Sequence, residues 1–186
     1  MRDERKAGVK QISTPRLIGT PMGPSHFAEI RDLHSDPRVM ATLSADGNVF
    51  TEEQTRTFLE RAAQHWSQHV FGLWIFHSNG AGDFVGYGGI KHAAVELKDE
   101  IELAYAVRSA HWNRGFATEM SEAALKFGFD ELRLERIVAF TLPHNAASRT
   151  VMEHCGFIYQ RDIIHAGLTH VLYHLDYGDY AARSKI

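Results

Sequence analysis

Cysteine is almost absent from this sequence of 186 residues, which has only Cys155. A single cysteine excludes an intrachain disulfide and any metal cluster built from several thiolates. No run reaches the roughly 20 apolar residues that a membrane-spanning helix needs. The first ten residues, MRDERKAGVK, are charged and lead into no apolar segment, unlike a signal peptide. These absences predict a cytoplasmic protein that does not contact a membrane.

The sequence also lacks a marked excess of charge of either sign. It has 20 Lys and Arg residues against 23 Asp and Glu residues, a formal net charge of −3 at pH 7. No broad basic field is therefore available to attract nucleic acid or an anionic membrane. Any anionic ligand has to be held by a local arrangement of groups.

The hydrophobic pattern predicts one domain, because the length suits one core and no repeat or linker divides the chain. We expect residues 1–12 to form a flexible N-terminus and residues 13–186 to form the domain. The predicted order β-α-α-β-β-β-α-β-α-β-β indicates an α/β fold, with a mixed sheet and helices on both faces.

Three stretches define the middle of this order. Thr51 precedes acidic residues and an apolar helical pattern, which predicts a helix to about Gln68. Residues 71–92 read as two strands joined by the turn SNGAGD. The next strand is IELAYAV, residues 101–107, whose alternation places Glu102 on the face opposite Tyr105.

The stretch WNRGFATE, Trp112 to Glu119, connects this strand to a helix that begins near Phe116. The first N–H groups of a helix are unpaired and lie at the positive end of its dipole, a combination that binds phosphate. Gly115 permits close approach of a ligand, Ala117 and Thr118 keep the first turn small, and Arg114 adds a charge. The stretch is a candidate pyrophosphate cradle, although a tight connection alone also explains its glycine.

Two motifs carry a resemblance to a known family. WNRGFA resembles the phosphate loop Gln/Arg-x-x-Gly-x-Gly/Ala of the GNAT superfamily of acetyl-CoA-dependent N-acetyltransferases. Trp112 at its first position is similar to the branch of ribosomal-protein N-terminal (alanine/serine) acetyltransferases, although Asn113 replaces a glycine of that branch. PHNAASRTVMEHCGF resembles a second stretch of the branch, with Asn145, Ser148 and Gly156 in matching positions. The resemblance covers roughly residues 13–178.

The resemblance implies a mostly antiparallel sheet of about seven strands flanked by four helices. It also implies a splay between the fourth and fifth strands, IELAYAV and RIVAFTLP, where the pantetheine arm of acetyl-CoA lies. A free amide near Ala106 or Val107 is then expected to face the thioester carbonyl. The implied acetyl-CoA contacts are Tyr105, Val107, Arg108, Arg114, Gly115, Phe116, Ala117, Thr118 and Asn145.

The same resemblance implies two catalytic candidates. Glu102 is expected to take the proton of the attacking amine, directly or through water, and Ser148 to protonate the departing thiolate. Each has a simpler interpretation: Glu102 as a surface carboxylate on an alternating strand, and Ser148, like Asn145, as a residue that caps the helix. Met152 occupies the position of a tyrosine that serves as the acid in many relatives, and it has no proton to donate.

We therefore expect an N-acetyltransferase that moves an acetyl group to a primary amine by direct attack in a ternary complex. An N-terminal α-amine of a peptide or protein, with a pKa of about 7.7 to 8.0, is more often neutral at pH 7 than a lysine-like amine at about 10.4. The alternatives are a small-molecule acceptor, such as a polyamine, amino acid or antibiotic, and a non-catalytic acyl-CoA-binding module. The resemblance places acceptor contacts in residues 44–50, including Phe50, and allows a monomer or a homodimer.

No metal is expected from the sequence. His65 and His69 share a helix face, and His170 and His174 share a strand face, but no third ligand follows either pair at a fixed spacing. Cys155 is expected to pack at a helix end, because no orienting partner for a nucleophile is evident.

Overall fold

The computed structural model describes residues 11–44 and 46–183, which form eight strands and six α-helices around one sheet. The sequence predicts seven of these strands, and the additional one, β1, is a two-residue strand paired with β2. The strands are β1 (Ile12–Ser13), β2 (Leu17–Pro21), β3 (Leu73–Ser78), β4 (Phe84–Val95), β5 (Lys98–Val107), β6 (Arg136–Thr141), β7 (Ile158–His165) and β8 (Leu168–Asp176).

The described residues form six α-helices, whereas the resemblance implies four. They are α1 (Phe27–His34), α2 (Pro37–Leu43), α3 (Glu52–Gln68), α4 (Phe116–Lys126), α5 (Ala146–His154) and α6 (Tyr177–Arg183). Asp36 and Pro37 follow the end of α1 and start α2. The Asp36 carboxylate accepts a hydrogen bond from the Arg38 amide, and proline suits the first helical position because it needs no N–H partner.

The predicted flexible N-terminus, residues 1–12, falls almost entirely outside the described residues. Residues 1–10 are among those not described, whereas Ile12 pairs with Gly19 in the sheet. The predicted start of α3 is confirmed: Thr51 and Gln54 cap each other reciprocally. Within the described residues, no helix combines the length and apolar character needed to cross a bilayer.

The sheet has the strand order β1-β2-β3-β4-β5-β6-β8-β7, and neighbours are antiparallel except for β5 and β6. Those two strands run parallel and are paired at a single position, Glu102 with Val138. Beyond this pair the strands diverge toward their C-terminal ends. The predicted splay between residues 101–107 and RIVAFTLP is thus confirmed.

Each face of the sheet has its own hydrophobic core, as expected for helices on both faces. One core packs Met120 of α4 and Met152 of α5 against residues such as Ile90 of β4. The other packs Ile30 of α1 and Leu59 of α3 against the opposite face. These cores hold the N-termini of α4 and α5 beside the splay.

Candidate functional site

A cavity of about 1180 Å³ opens where β5 and β6 separate. Its walls come from β4, β5, β6, the loop before α4 and the first turn of that helix, α5, α2 and the β7–β8 hairpin. A parallel pair that diverges leaves backbone groups of both strands without a strand partner. The cavity therefore combines an open strand edge with two helix N-termini.

The open edge of β5 offers the amide groups of Tyr105 and Val107. The Arg108 amide donates to the Val85 carbonyl of β4 at 2.9 Å. Because donors alternate along an antiparallel pair, the Ala106 amide also points to β4, while those of Tyr105 and Val107 point to the cavity. Of the two amides considered from the sequence, Val107 is the one that faces the splay.

The loop before α4 has the geometry of an anion site. Gly115 is the N-cap of α4 in the left-handed region, with φ 75°, and no side chain caps the helix. A Cβ at this position would meet only the Arg16 guanidinium, at 3.5 Å. The amides of the first turn, including those of Ala117 and Thr118, have no partner within the helix. They face an open approach, as the cradle predicted from the sequence requires.

Three of the predicted cofactor contacts have side chains that do not line the cavity. Phe116 is buried in the core, so its amide alone remains available to a ligand. The Arg114 guanidinium lies over the Phe116 ring and donates to His111 at 3.1 Å. Arg108 forms an ion pair with Asp32 at 2.8 Å. The prediction that these side chains contact the cofactor stays a prediction.

Glu119, the last residue of WNRGFATE, fastens the loop to the N-terminal strands. Its carboxylate accepts hydrogen bonds from the Arg16 side chain at 2.6 Å, the Arg16 amide at 2.9 Å and the Thr14 hydroxyl. Arg16 also donates to the Arg114 carbonyl at 2.9 Å. Desolvation raises the pKa of Glu119, but these hydrogen bonds outweigh it and hold the pKa below its ordinary value.

Asn145 and Ser148 lie together at the start of α5, at the cavity wall. The Asn145 side chain caps the helix by accepting the Ser148 amide at 3.2 Å, and its Nδ2 donates to Thr141 at 3.0 Å. The cap interpretation of Asn145 is therefore confirmed. Ser148 itself does not cap α5, so its hydroxyl is free for another role.

That hydroxyl is paired with Tyr105. The Tyr105 Oη lies 2.9 Å from Ser148 Oγ and 3.1 Å from the Ser148 carbonyl oxygen. Burial raises the pKa of Tyr105, so the phenol keeps its proton at neutral pH. The hydroxyl groups of Tyr105 and Ser148 thus form one hydrogen-bonded pair that carries two protons.

Neither of the other α5 candidates offers an available proton. Met152 is buried and its thioether carries no proton. Cys155 is buried at the C-cap of the helix, and burial raises the pKa of its thiol to about 12. The packing position predicted for this cysteine agrees with its burial.

Glu102 lies at the closed end of the splay and is buried, not a surface carboxylate. Its carboxylate forms an ion pair with Lys91, which lies directly across the β4–β5 pair. Both side chains line the cavity. Sequence reasoning missed Lys91, although opposite charges facing each other in a hairpin register are a signal of such a pair.

Trp112, at the first position of the loop motif, has a structural role that the sequence did not reveal. Its indole N–H donates to the Val107 carbonyl at 2.8 Å, and its ring lines the cavity. In residues 44–50, the proposed acceptor segment, Ser44 lines the cavity, while Phe50 packs on His34 with 4.8 Å between ring centroids. The expected Phe50 wall is therefore not part of the cavity.

Comparison with known proteins decides the family. The family model described as an acetyltransferase (GNAT) domain matches residues 16–158. The chain belongs to the GNAT family. It is accordingly an acyltransferase of the N-acetyltransferase type, and acetyl-CoA is the acetyl donor that this family uses.

Relatives agree with this assignment. FsC-acetyl coenzyme A-N(2)-transacetylase of Aspergillus fumigatus is 31% identical over 157 residues, which cover 80% of this chain and 65% of that enzyme. A GNAT-family acetyltransferase structure from Bacillus anthracis has a TM-score of 0.73 at 25% identity, covering 91% and 99% of the two chains. A ribosomal L7/L12 alpha-N-protein acetyltransferase in complex with coenzyme A has a TM-score of 0.74 at 15% identity, covering 90% and 98%. At 15% identity the likeness concerns the fold.

The site residues fit acetyl-CoA. The unpaired first-turn amides of α4 face an open loop that suits a pyrophosphate, and the exposed edge of β5 suits an amide-containing pantetheine arm, which pairs with backbone as a strand does. Acetyl-CoA would supply the acetyl group, as a thioester, within this groove.

Proposed function

We propose that the enzyme acetylates the α-amine of a peptide or protein N-terminus by direct attack, with Glu102 and Ser148 handling the two protons. The observation that supports this proposal is that both side chains line the same cavity, Glu102 from β5 and Ser148 from α5. Glu102 accepts the proton that the attacking amine loses, through a water molecule. Ser148 donates a proton to the leaving sulfur.

Tyr105 assists the second proton transfer in this proposal. When Ser148 gives up its proton, the Tyr105 hydroxyl, 2.9 Å away, is placed to donate to the serine oxygen. The Tyr105–Ser148 pair thus supplies the proton that Met152, at the position of the tyrosine acid of many relatives, cannot donate. The Val107 amide is placed to donate to the acetyl carbonyl oxygen as negative charge develops there; such a donor is worth about 10² to 10³ in rate.

The charge of the cavity supports an acceptor with one amine over a polyamine. Among the described residues that line it, Glu102 is the one carboxylate, and Lys91 already pairs with it. Arg38 also lines the cavity, and its guanidinium is paired with the Asp36 carboxylate at 2.9 Å. A polyamine would bring several positive charges to a wall that offers no free carboxylate, whereas an N-terminal α-amine brings one.

A small-molecule amine remains the second candidate, favoured by the relative named for transfer to an N(2) nitrogen. The test is release of CoA from acetyl-CoA in the presence of a short peptide, the same peptide blocked at its N-terminus, spermidine and free amino acids. We expect turnover with the free peptide and none with the blocked one. Faster turnover with spermidine would overturn the acceptor assignment.

The catalytic assignment has its own test. Glu102→Gln keeps the size of the side chain but cannot accept the proton, so kcat is expected to fall about 10² to 10⁴-fold. The dissociation constant of acetyl-CoA, measured by calorimetry, is expected to stay the same. An unchanged kcat would contradict the role of Glu102 while leaving the acceptor assignment intact.

Other expectations remain predictions. These are a single domain over residues 13–186, a cytoplasmic location, a monomer or homodimer, and the absence of nucleic-acid and membrane partners.

A further inference from the structure

Three histidine side chains meet at the C-terminal end of α3. His65 lies in the last turn of this helix, His69 is its C-cap residue, and His92 lies on β4. Ring centroids are 4.6 Å apart for His65 and His69, 4.4 Å for His69 and His92, and 5.7 Å for His65 and His92. One ring nitrogen of each lies within 4.8 Å of the others.

We propose that His65, His69 and His92 bind one divalent transition-metal ion of the zinc and copper group. Imidazole nitrogen is a preferred ligand of these ions. In a tetrahedral zinc site, metal–nitrogen distances of about 2.0 to 2.1 Å place the nitrogens about 3.3 Å apart. The ring nitrogens, which lie up to 4.8 Å apart, need to approach one another by up to about 1.5 Å through side-chain rotations, and water fills the fourth position.

The partners of two rings hold them in the orientation of metal ligands. The His65 Nδ1 lies 2.9 Å from the Phe71 carbonyl oxygen, and the His92 Nδ1 lies 2.8 Å from an Asp99 carboxylate oxygen. Each Nδ1–H donates to its oxygen, which leaves the Nε2 lone pair for the metal. Backbone carbonyls and carboxylates are the usual partners behind histidine ligands.

One hydrogen bond competes with the metal. The His92 backbone amide donates to His65 Nε2 at 3.1 Å. In this bond the His65 Nε2 is the acceptor, so its lone pair points toward the His92 amide. A metal ion would take that lone pair, and water would replace it at the amide, because all three histidines are half-exposed. A neutral hydrogen bond contributes far less than a structural zinc ion.

The site is separate from the cavity between β5 and β6. His92 follows Lys91 in β4, and consecutive strand residues point to opposite faces. Lys91 faces the cavity, so His92 faces away from it. The ring of Phe71 lies within 6 Å of all three histidine rings and forms an apolar wall. The ion would therefore fasten α3 to β4 and stabilise the fold without entering acetyl transfer.

The sequence alone offered only His65 and His69 at helical spacing, without a third ligand. His92 is 23 positions beyond His69 in the chain, and the folding of β4 against the end of α3 brings it to them. The inference does not depend on the proposed acceptor or catalytic residues.

Calorimetric titration of the tag-free, chelator-treated protein with Zn²⁺ tests the proposal. We expect one tight site in the wild type, and an affinity lower by more than about tenfold in His69→Ala. The His69 ring makes no hydrogen bond within the described part of the chain, so its removal is expected to leave the fold intact. His144→Ala is the matched control, because His144 is an exposed histidine distant from the cluster in sequence, and its affinity for Zn²⁺ is expected to be unchanged.

Two further measurements separate a built site from general binding by histidines. Asp99→Asn weakens the partner of His92 and is expected to lower Zn²⁺ affinity about ten- to hundredfold. Co²⁺ bound to the wild type is expected to give the visible absorption of a four-coordinate ion, and Zn²⁺ to raise Tm in the wild type but not in His69→Ala. Equal Zn²⁺ affinity in the wild type, His69→Ala and Asp99→Asn would overturn the proposal.

Discussion

The hydroxyl groups of Tyr105 and Ser148 lie 2.9 Å apart, joining β5 to α5 across the mouth of the splay. A tyrosine on the strand is thus coupled to a serine on the helix, although 42 residues separate them in the sequence. The pair brings together two residues to which the resemblance assigned separate roles, cofactor binding for Tyr105 and proton donation for Ser148.

Tyr105→Phe keeps the aromatic ring in the groove wall and removes only the phenol oxygen. Loss of a hydrogen bond worth about 1 kcal/mol predicts a fall in kcat of about fivefold, with acetyl-CoA affinity nearly unchanged. Ser148→Ala is expected to lower kcat by about 10²-fold.

The double variant then distinguishes a coupled pair from two independent residues. If Tyr105 acts through Ser148, Tyr105→Phe has little further effect when Ser148 is already alanine. Steady-state kinetics of the four proteins measure this coupling. Fully multiplicative effects of the two changes would show that Tyr105 has no such role.

Gly115→Glu introduces a side chain and a negative charge into the loop before α4. Acetyl-CoA affinity, measured by calorimetry, is expected to fall by at least about tenfold, because the carboxylate repels the phosphates and a residue with φ 75° is strained. Gly80→Glu is a matched control. Gly80 has φ 90° in the β3–β4 turn and open space around it, so it meets the same strain far from the cavity. Equal loss of affinity in both variants would count against the cradle.

Arg16→Gln removes the side chain that joins Glu119 to the loop carbonyl of Arg114. We expect acetyl-CoA affinity to fall about three- to tenfold, because the loop loses its fixed shape, while stability falls by at most about 1 kcal/mol for an exposed ion pair. Arg136→Gln is the control: its bidentate pair with Asp176, at 2.6 and 3.0 Å, lies outside the cavity. Acetyl-CoA affinity and denaturant unfolding are measured for both variants. If Arg136→Gln lost as much affinity as Arg16→Gln, the contact of Arg16 with Glu119 and the Arg114 carbonyl would not be what shapes the loop.

The buried side chain of His34 is expected to make the free energy of unfolding depend on pH. It is fully buried between Phe50 and Phe58, and burial, assisted by the Arg31 charge, lowers its pKa to about 4. The unfolded chain, with an ordinary value of about 6.5, therefore binds more protons between these values. Stability is fully present above about pH 6.5 and falls as the pH drops toward 4, by up to about 3 kcal/mol.

His34→Gln keeps a hydrogen-bonding side chain beside Thr55 but does not titrate. Urea unfolding at pH 7 and pH 5 is expected to show a smaller difference between the two pH values in this variant than in the wild type. The same pH dependence in both proteins would assign the acid sensitivity to other groups.

The parts of the site that depend on local sequence could be predicted. Gly115 before a helix, the Thr51 cap and the alternation that separates Glu102 from Tyr105 each involve neighbouring residues, whose geometry follows from the backbone. The splay followed from the resemblance, because no local pattern shows that two strands diverge.

The parts that were missed depend on contacts between distant segments. Lys91 pairs with Glu102 only because the β4–β5 register places them opposite each other. Arg16 reaches Glu119 across more than 100 residues. The ion pair of Arg108 with Asp32 and the burial of Phe116 in the core also depend on distant segments, and the predicted contact of both residues with the cofactor stays a prediction.

The described sheet consists of two panels that share a single backbone pairing, that of Glu102 with Val138. One panel holds the strands up to residue 107, and the other holds the strands from residue 136 onward. A ligand lying in the seam contacts both panels and restrains their relative motion. We therefore expect bound acetyl-CoA to slow amide hydrogen exchange in β5 and β6, the inner strands of the two panels.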